Sequence, residues 1–153
     1  MSPAPARQLD DRALAVLGAG GPALVLSSDA RGEPHATYSW AVATGARSMR
    51  IAVDRGGRSS ANLRGRGRGA VMAVGLGGLN LLVSGRVRRL PGLLQPEGSA
   101  PLEVWALAVD RVRDQAWPGV ATSTLAYRWP AAQRAAMRRM ERAVLAGLRV
   151  AEG

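Results

Sequence analysis

The chain has 153 residues with 47% hydrophobic and 21% charged residues, which fits one ordinary domain with its own core and excludes a disordered chain. It contains no cysteine, so disulfides, thiolate metal sites and cysteine nucleophiles are excluded. The net charge is +10. Lysine is absent and His35 is the only histidine, which excludes lysine Schiff-base chemistry and any metal site built from two histidines.

The first third of the chain predicts a short helix followed by three strands. Asp10 or Asp11 can cap the helix, which carries Leu14 and Leu17, and Gly18 can end it. The strands are predicted at 23–28, 34–43 and 48–53, with a turn at 29–32 and another at 44–47. Close spacing and tight turns favour an antiparallel meander.

The rest of the chain predicts a second short helix, three further strands and a final helix. The helix is predicted at 58–64 and the strands at 70–74, 79–90 and 101–113. The segment 116–129 is ambiguous, and a seventh strand at 120–127 is left open. Pro130 suits the first turn of the final helix, on which Met137, Met140, Val144 and Leu148 form one apolar stripe for the core or a dimer contact.

Six or seven strands with few helices predict a mainly β fold, a closed or nearly closed barrel. A short N-terminal helix and an amphipathic C-terminal helix flank this barrel. We expect a flexible tail at 1–9 and a single domain at 10–153. No apolar run reaches the roughly 20 residues of a membrane span, and Met1–Leu9 lacks a signal-peptide pattern. We therefore expect a cytoplasmic protein without a membrane partner.

The best candidate for chemistry is the loop and helix start at 54–64, which reads DRGGRSSANLR. Glycines allow a ligand to approach the backbone, and a helix N-terminus offers free N–H groups and partial positive charge. Arg58, Ser59 and Ser60 add donors at that end, and arginine binds phosphate bidentately. The pattern therefore indicates a phosphate cradle, with one alternative: a serine only caps the helix and Arg58 is solvated.

Three segments of the chain are informative together: 23–35 (ALVLSSDARGEPH), 58–64 (RSSANLR) and 82–87 (LVSGRV). In this order they resemble the pyridoxamine 5′-phosphate oxidase-like split-barrel family of flavin-binding proteins. The resembling stretch runs from about residue 22 to residue 90, under half of the chain. The resemblance implies a homodimer of split β-barrels with FMN at the subunit interface. It also implies an oxidoreductase acting on an unidentified small molecule, with a nicotinamide compound as electron donor.

The resemblance also implies which residues hold the cofactor. Family members grip the FMN phosphate with a Ser-Arg-Lys-like stretch, which here corresponds to Gly57, Arg58 and Ser59. Only the arginine matches, and Ser60 is the neighbouring donor that can substitute. Asn62 flanks the same loop. The family's second- and third-strand positions beside the flavin ring correspond to Tyr38, Ser39, Trp40, Ala52 and Val53.

Several alternatives stay open at this point. Relatives in the family bind haem or a deazaflavin coenzyme, or no cofactor at all, and the missing lysine favours such a change. His35 is either a haem axial ligand, a general base or an ordinary strand residue. Trp40 is either a ring-packing residue or core. The excess arginine reflects either codon bias with a solvated surface or a polyanion-binding surface, including nucleic acid. No metal site and no catalytic residue is predicted.

Overall fold

A computed structural model describes residues 4–152 and shows a closed barrel of six antiparallel strands with three helices. The strands are β1 (Gly21–Ser28), β2 (Pro34–Gly45), β3 (Ser48–Asp54), β4 (Arg68–Leu76), β5 (Leu79–Arg89) and β6 (Leu102–Asp114). The helices are α1 (Asp11–Ala19), α2 (Arg58–Arg66) and α3 (Arg134–Val150). Around the barrel the strands follow the order β1-β2-β3-β6-β5-β4, and β4 closes the ring on β1. The predicted mainly β barrel is therefore confirmed.

The barrel interior forms because alternate residues of each strand point inward. Val25, Ile51, Val71 and Val83 are fully buried in this interior core. The helix α1 adds Leu17 to one end of the core, and α2 adds Leu63 to the other end. The two short helices therefore plug opposite ends of the barrel, and α2 carries the chain across its end from β3 to β4.

The helix α3 packs on the outside of the barrel and forms a second core. Met140, Val144 and Leu148, three members of the predicted apolar stripe, are buried there against Val42 and Val104. Met137 is partly buried beside them. The stripe is therefore core within the chain. A short 3-10 turn at Ala131–Gln133 follows Pro130 and precedes the helix.

The possible seventh strand at 120–127 is wrong, because this segment has no regular secondary structure. The segment lies against the end of β4, whose two edges are already paired with β1 and with β5, so β4 offers it no free edge. The segment instead crosses the outside of the barrel. Isolated hydrogen bonds hold it, from the Leu125 N–H to the Val74 carbonyl and from the Thr124 hydroxyl to the Gly75 carbonyl.

The predicted tail at 1–9 is described from Ala4 onward, and its first three residues lie outside the described part. Ala6 exchanges two backbone hydrogen bonds with Val112. Leu9 is buried in the interior core. This part of the tail therefore packs against the barrel. Within residues 4–152, none of the helices combines the length and apolar character that crossing a membrane requires.

Candidate functional site

The barrel opens into a wedge between β2 and β3. From Ala41 to Gly45, β2 pairs with β3, whereas its residues 34–40 pair with β1 alone. Beyond Ile51, β3 continues with β6 as its only partner. The two strands therefore diverge from the Ala41–Ile51 pair onward, and the edge of β2 that faces β3 is unpaired there.

A side chain bridges the point where the wedge begins. Ser39 is buried, and its hydroxyl donates a hydrogen bond to the carbonyl of Ala52 on β3. This contact joins the strands just past their last backbone pair. Ser39 therefore sets the closed end of the opening.

The wedge contains a cavity of about 260 Å³, which we call the wedge cavity. Six of the residues predicted to hold a cofactor line it: Tyr38, Ser39, Trp40, Val53, Arg58 and Ser59. The remaining lining residues are His35, Thr37, Asp54 and Gly57. Residues from β2, from the end of β3 and from the start of α2 are thus brought together at one opening.

The N-terminus of α2 forms one wall of the wedge cavity. Gly57 occupies the N-cap position without a side chain to cap the helix, so the first-turn N–H groups lack intrahelical partners. Ser59 is only 5% exposed, and its hydroxyl has no hydrogen-bond partner among residues 4–152. Arg58 is exposed beside it. This wall therefore offers unused donors and positive charge.

Ser60, the substitute donor predicted from the sequence, has a different partner. Its hydroxyl donates a 2.6 Å hydrogen bond to the buried carboxylate of Glu103. The indole N–H of Trp105 donates to the same carboxylate oxygen at 3.0 Å, and Arg64 and Arg89 lie 3.6 and 3.7 Å from its other oxygen. Glu103 was missed from the sequence because a single glutamate in a strand carries no local signal of burial.

Two further predicted residues lie outside the wedge cavity lining. Asn62 is buried and donates a 3.1 Å hydrogen bond to the Ser27 hydroxyl, which ties α2 to β1. Ala52 is fully buried in the second core under α3. Both residues therefore stabilise the surroundings of the cavity.

Four aromatic residues form a cluster along one side of the wedge. Tyr127 lies 6.3 Å from Tyr38, 5.9 Å from Trp40 and 5.3 Å from Trp129, measured between ring centroids. Trp40 also donates a 3.1 Å hydrogen bond to Glu141 of α3. The sequence analysis did not predict that Tyr127 and Trp129 would meet Tyr38 and Trp40. The sequence does carry one local sign of this cluster: both 38–40 and 127–129 have a tyrosine followed two residues later by a tryptophan.

The environment of Tyr127 affects its ionisation. Burial, followed by the nearby Glu141 and Tyr38, raises the pKa of Tyr127 to about 12. Its hydroxyl donates a long 3.4 Å hydrogen bond to the Ser39 carbonyl. Tyr127 therefore stays a neutral phenol at physiological pH and connects the crossing segment to the wedge.

The wedge can bind a planar anionic ligand, since it pairs a cationic helix start with an aromatic wall. In the described part of the chain, no three histidine, aspartate or glutamate side chains lie close enough together to form a metal site. His35 lies within the lining, and Asp54 supplies the carboxylate there.

No family model matches the chain, and no curated protein matches it. Solved structures match its fold. A Listeria innocua protein assigned by name to pyridoxamine 5′-phosphate oxidase is 16% identical with a TM-score of 0.53, over 69% of this chain and 96% of its own. A single-residue variant of HupZ from Group A Streptococcus is 17% identical with a TM-score of 0.52, over 68% of this chain and 97% of its own.

HutZ, the heme storage protein from Vibrio cholerae, is 11% identical with a TM-score of 0.48, over 61% of this chain and 84% of its own. The other two similarities show that the chain has the split-barrel fold of the pyridoxamine 5′-phosphate oxidase-like proteins. At these identities the likeness concerns the fold alone.

Proposed function

We propose that the chain binds FMN in the wedge cavity and acts as an FMN-dependent oxidoreductase. The unpartnered hydroxyl of Ser59 carries this proposal. A buried hydroxyl without a partner costs about 1–3 kcal/mol. A phosphate oxygen at the start of α2 would accept its hydrogen bond, which gives the unused donor a function.

The residues present fit the two ends of this cofactor. Arg58 and Ser59, together with the free N–H groups of α2, would hold the phosphate. Tyr38 and Trp40 would lie against the ring system. Bound FMN supplies the redox chemistry, passing electrons from a donor such as a nicotinamide compound to a small-molecule acceptor. The chain contributes binding, orientation and shielding from water.

The phosphate grip is weaker here than the family pattern implies. Ser59 stands where that pattern has a lysine, and the carboxylate of Asp54 lies in the same lining. Arg58 therefore carries most of the cationic charge for the phosphate. We expect FMN affinity to depend strongly on this single arginine.

A homodimer would complete the site. The cavity of about 260 Å³ in one copy falls below the roughly 300–1,000 Å³ of pockets for small molecules. The Tyr38 side chain is 63% exposed at the open edge of β2. A second copy packed at this edge would enlarge the cavity and cover the tyrosine. Sedimentation velocity of the purified protein measures this directly, and a monomer at all concentrations would contradict it.

The central experiment is an absorption spectrum of the purified protein followed by FMN titration. We expect flavin absorption bands, or quenching of FMN fluorescence when FMN is added. Arg58→Ala should weaken FMN binding by about 1.5–3 kcal/mol, the scale of a hydrogen bond to a charged group. Arg55→Ala is the matched control, since Arg55 is exposed in the same loop and lies outside the cavity lining.

Two outcomes would contradict the proposal. A colourless protein that leaves FMN fluorescence unchanged at high protein concentration would exclude FMN as the cofactor. Titration with a deazaflavin coenzyme would then show whether the chain binds that coenzyme or no flavin-like cofactor at all. Equal weakening by Arg58→Ala and Arg55→Ala would show that general positive charge, rather than the wedge cavity, attracts FMN.

Haem is the second candidate ligand, and the position of His35 favours it. This only histidine of the chain lines the wedge cavity, where its imidazole is a suitable axial ligand. Adding haem and recording the Soret band tests the idea. His35→Ala should shift that band if His35 ligates the iron, and an unchanged band would exclude His35 as the ligand.

A further inference from the structure

The strand register aligns arginines on the outer face of the barrel, away from the wedge. On β6, Ala106 lies between Arg50 of β3 and Arg88 of β5 in one row across the sheet. Two residues along, Arg86 of β5 lies beside Ala108. Neighbouring strands are about 4.8 Å apart. The backbones of Arg50 and Arg88 are therefore about 10 Å apart, with Ala106 between them.

These side chains surround a shallow groove of about 420 Å³. We call its basic residues the arginine patch: Arg47, Arg50, Arg86 and Arg88. Ala106 and Ala108 form the floor, and their small side chains leave the space between the guanidinium groups open. The groove is therefore lined by long cationic side chains over a small apolar base.

Within residues 4–152 the arginine patch forms no salt bridge, although Asp110 lies near enough to Arg86 for their charges to attract each other. All ion pairs within residues 4–152 involve Glu103 or Asp110, and their cations are Arg64, Arg68 and Arg89. Arg50 is half-buried and donates to the Ser48 hydroxyl and to main-chain carbonyls, none of which carries charge. Burial, and then the charge of Arg88, lowers the pKa of Arg50.

Like charges gathered on one face repel one another and lower the stability of the ligand-free protein. An anion bound in the groove would relieve this repulsion. Arginine suits phosphate because its planar guanidinium offers paired N–H donors. The patch measures about 10 Å across the strands and about 7 Å along β5. This footprint matches two or three linked phosphate groups.

We propose that the arginine patch is a binding site for a compact ligand with two or three adjacent phosphates, such as a diphosphate or triphosphate group. The site lies on the outer face of β3, β5 and β6, whereas the wedge cavity lies between β2 and β3. It is therefore independent of the proposed cofactor, and it stands whether or not FMN binds.

Isothermal titration calorimetry with inorganic tripolyphosphate and pyrophosphate, at constant ionic strength, tests the site. Orthophosphate and sulfate serve as comparison anions. We expect tripolyphosphate to bind most tightly and the double variant Arg50→Gln/Arg88→Gln to weaken it by about tenfold or more. The matched control Arg139→Gln/Arg142→Gln removes two exposed charges from α3 and should change affinity less than about twofold.

Arg86→Gln keeps the test valid if the double variant fails to fold. Arg86 is exposed and lies outside both cores, so this variant should fold. It should still weaken the binding of tripolyphosphate by about threefold or more. Circular dichroism and thermal unfolding verify that each variant is folded.

Several results would overturn the proposal. They are an absence of tripolyphosphate binding, equal binding of tripolyphosphate and orthophosphate, and an equal loss of affinity in the α3 control. Patch-dependent binding of duplex DNA that is tighter than that of tripolyphosphate would assign the face to nucleic acid instead. A change of oligomeric state in Arg86→Gln without loss of tripolyphosphate affinity would assign the face to self-association.

Discussion

Ser60 donates a hydrogen bond of 2.6 Å to the carboxylate of Glu103 at the α2 end of the barrel. Ser59, its neighbour in the chain, is also buried and has no hydrogen-bond partner in the described part of the chain. One serine therefore stabilises the fold, whereas the other lies in the lining of the wedge cavity with a buried and unpartnered hydroxyl. The two serines make opposite contributions to stability and to ligand binding.

Replacing each serine by alanine separates these contributions. Ser60→Ala should lower the free energy of unfolding by about 1–3 kcal/mol, because a buried carboxylate loses a donor. Ser59→Ala should leave stability unchanged or slightly higher, because it removes an unsatisfied group. It should nevertheless weaken the binding of FMN by about tenfold or more. Urea unfolding and FMN titration measure both, and a clear destabilisation by Ser59→Ala would show that its hydroxyl already has a partner.

Glu103 holds two buried donors, so its truncation should be costly. Glu103→Ala leaves the Ser60 hydroxyl and the Trp105 indole N–H without an acceptor, and should lower the free energy of unfolding by about 3 kcal/mol. Glu103→Gln keeps an acceptor oxygen and should cost about 1 kcal/mol. Chemical unfolding followed by tryptophan fluorescence measures the difference. Equal losses in the two variants would mean that the charge, rather than the hydrogen bonds, is what matters.

Gly85 permits a close approach between β5 and β6. A Cβ atom there would lie 1.8 Å from the carbonyl oxygen of Ala108, at the point where the strand register shifts. Gly85→Ala should therefore destabilise the barrel by about 3 kcal/mol or more. The control Gly65→Ala lies in α2 with open space around it, and should stabilise by about 0.5–1 kcal/mol. Thermal unfolding ranks the two variants, and equal midpoints would contradict the clash.

Asp54 should oppose the binding of a phosphate. Its carboxylate lies in the same cavity lining as Arg58 and is exposed, so its repulsion is worth about 1 kcal/mol or less. Asp54→Asn should therefore tighten FMN binding by a few-fold, the opposite direction to Arg58→Ala. Fluorescence titration at low and high salt measures both, and the gain should shrink as salt screens the charge. Weaker binding in Asp54→Asn would instead make Asp54 a ligand contact.

Tyr127 should make stability depend on pH at the alkaline end. Its pKa is raised to about 12 in the fold, above the ordinary value of about 10. The stabilisation is therefore complete below about pH 10 and is lost as the pH rises through 12, because the unfolded chain releases this proton first. Phenolate absorbance should show a late ionisation in the wild type that Tyr127→Phe lacks. If Tyr127 ionised at the ordinary pH of a tyrosine, its partly buried position would be contradicted.

Local patterns predicted much of this fold. The alternation of Met49, Ile51 and Val53 predicted β3, and the capping aspartate predicted the start of α1. The spacing of Met140, Val144 and Leu148 predicted the buried face of α3. These features depend on neighbours a few residues apart, so one sequence is enough to find them.

Part of the candidate site was also predictable. The glycine-rich loop and the serines after β3 indicated a helix start with free donors, and the resemblance placed Tyr38 and Trp40 beside it. Which serine keeps a free hydroxyl was not predictable, because that depends on Glu103, about forty residues further along. The meeting of Tyr127 with Trp40 likewise depends on a segment that the closed barrel excludes from pairing.

The order of strands and helices, the turns and the concentration of positive charge in arginine can all be read from the chain of residues. The wedge between β2 and β3, the difference between Ser59 and Ser60, and the row from Arg50 across Ala106 to Arg88 arise only when distant segments meet in the fold. The reason is physical. Helix and strand periods are set by nearby residues, whereas strand register and barrel closure are set by contacts between distant segments, and these contacts decide which polar groups and charges become neighbours.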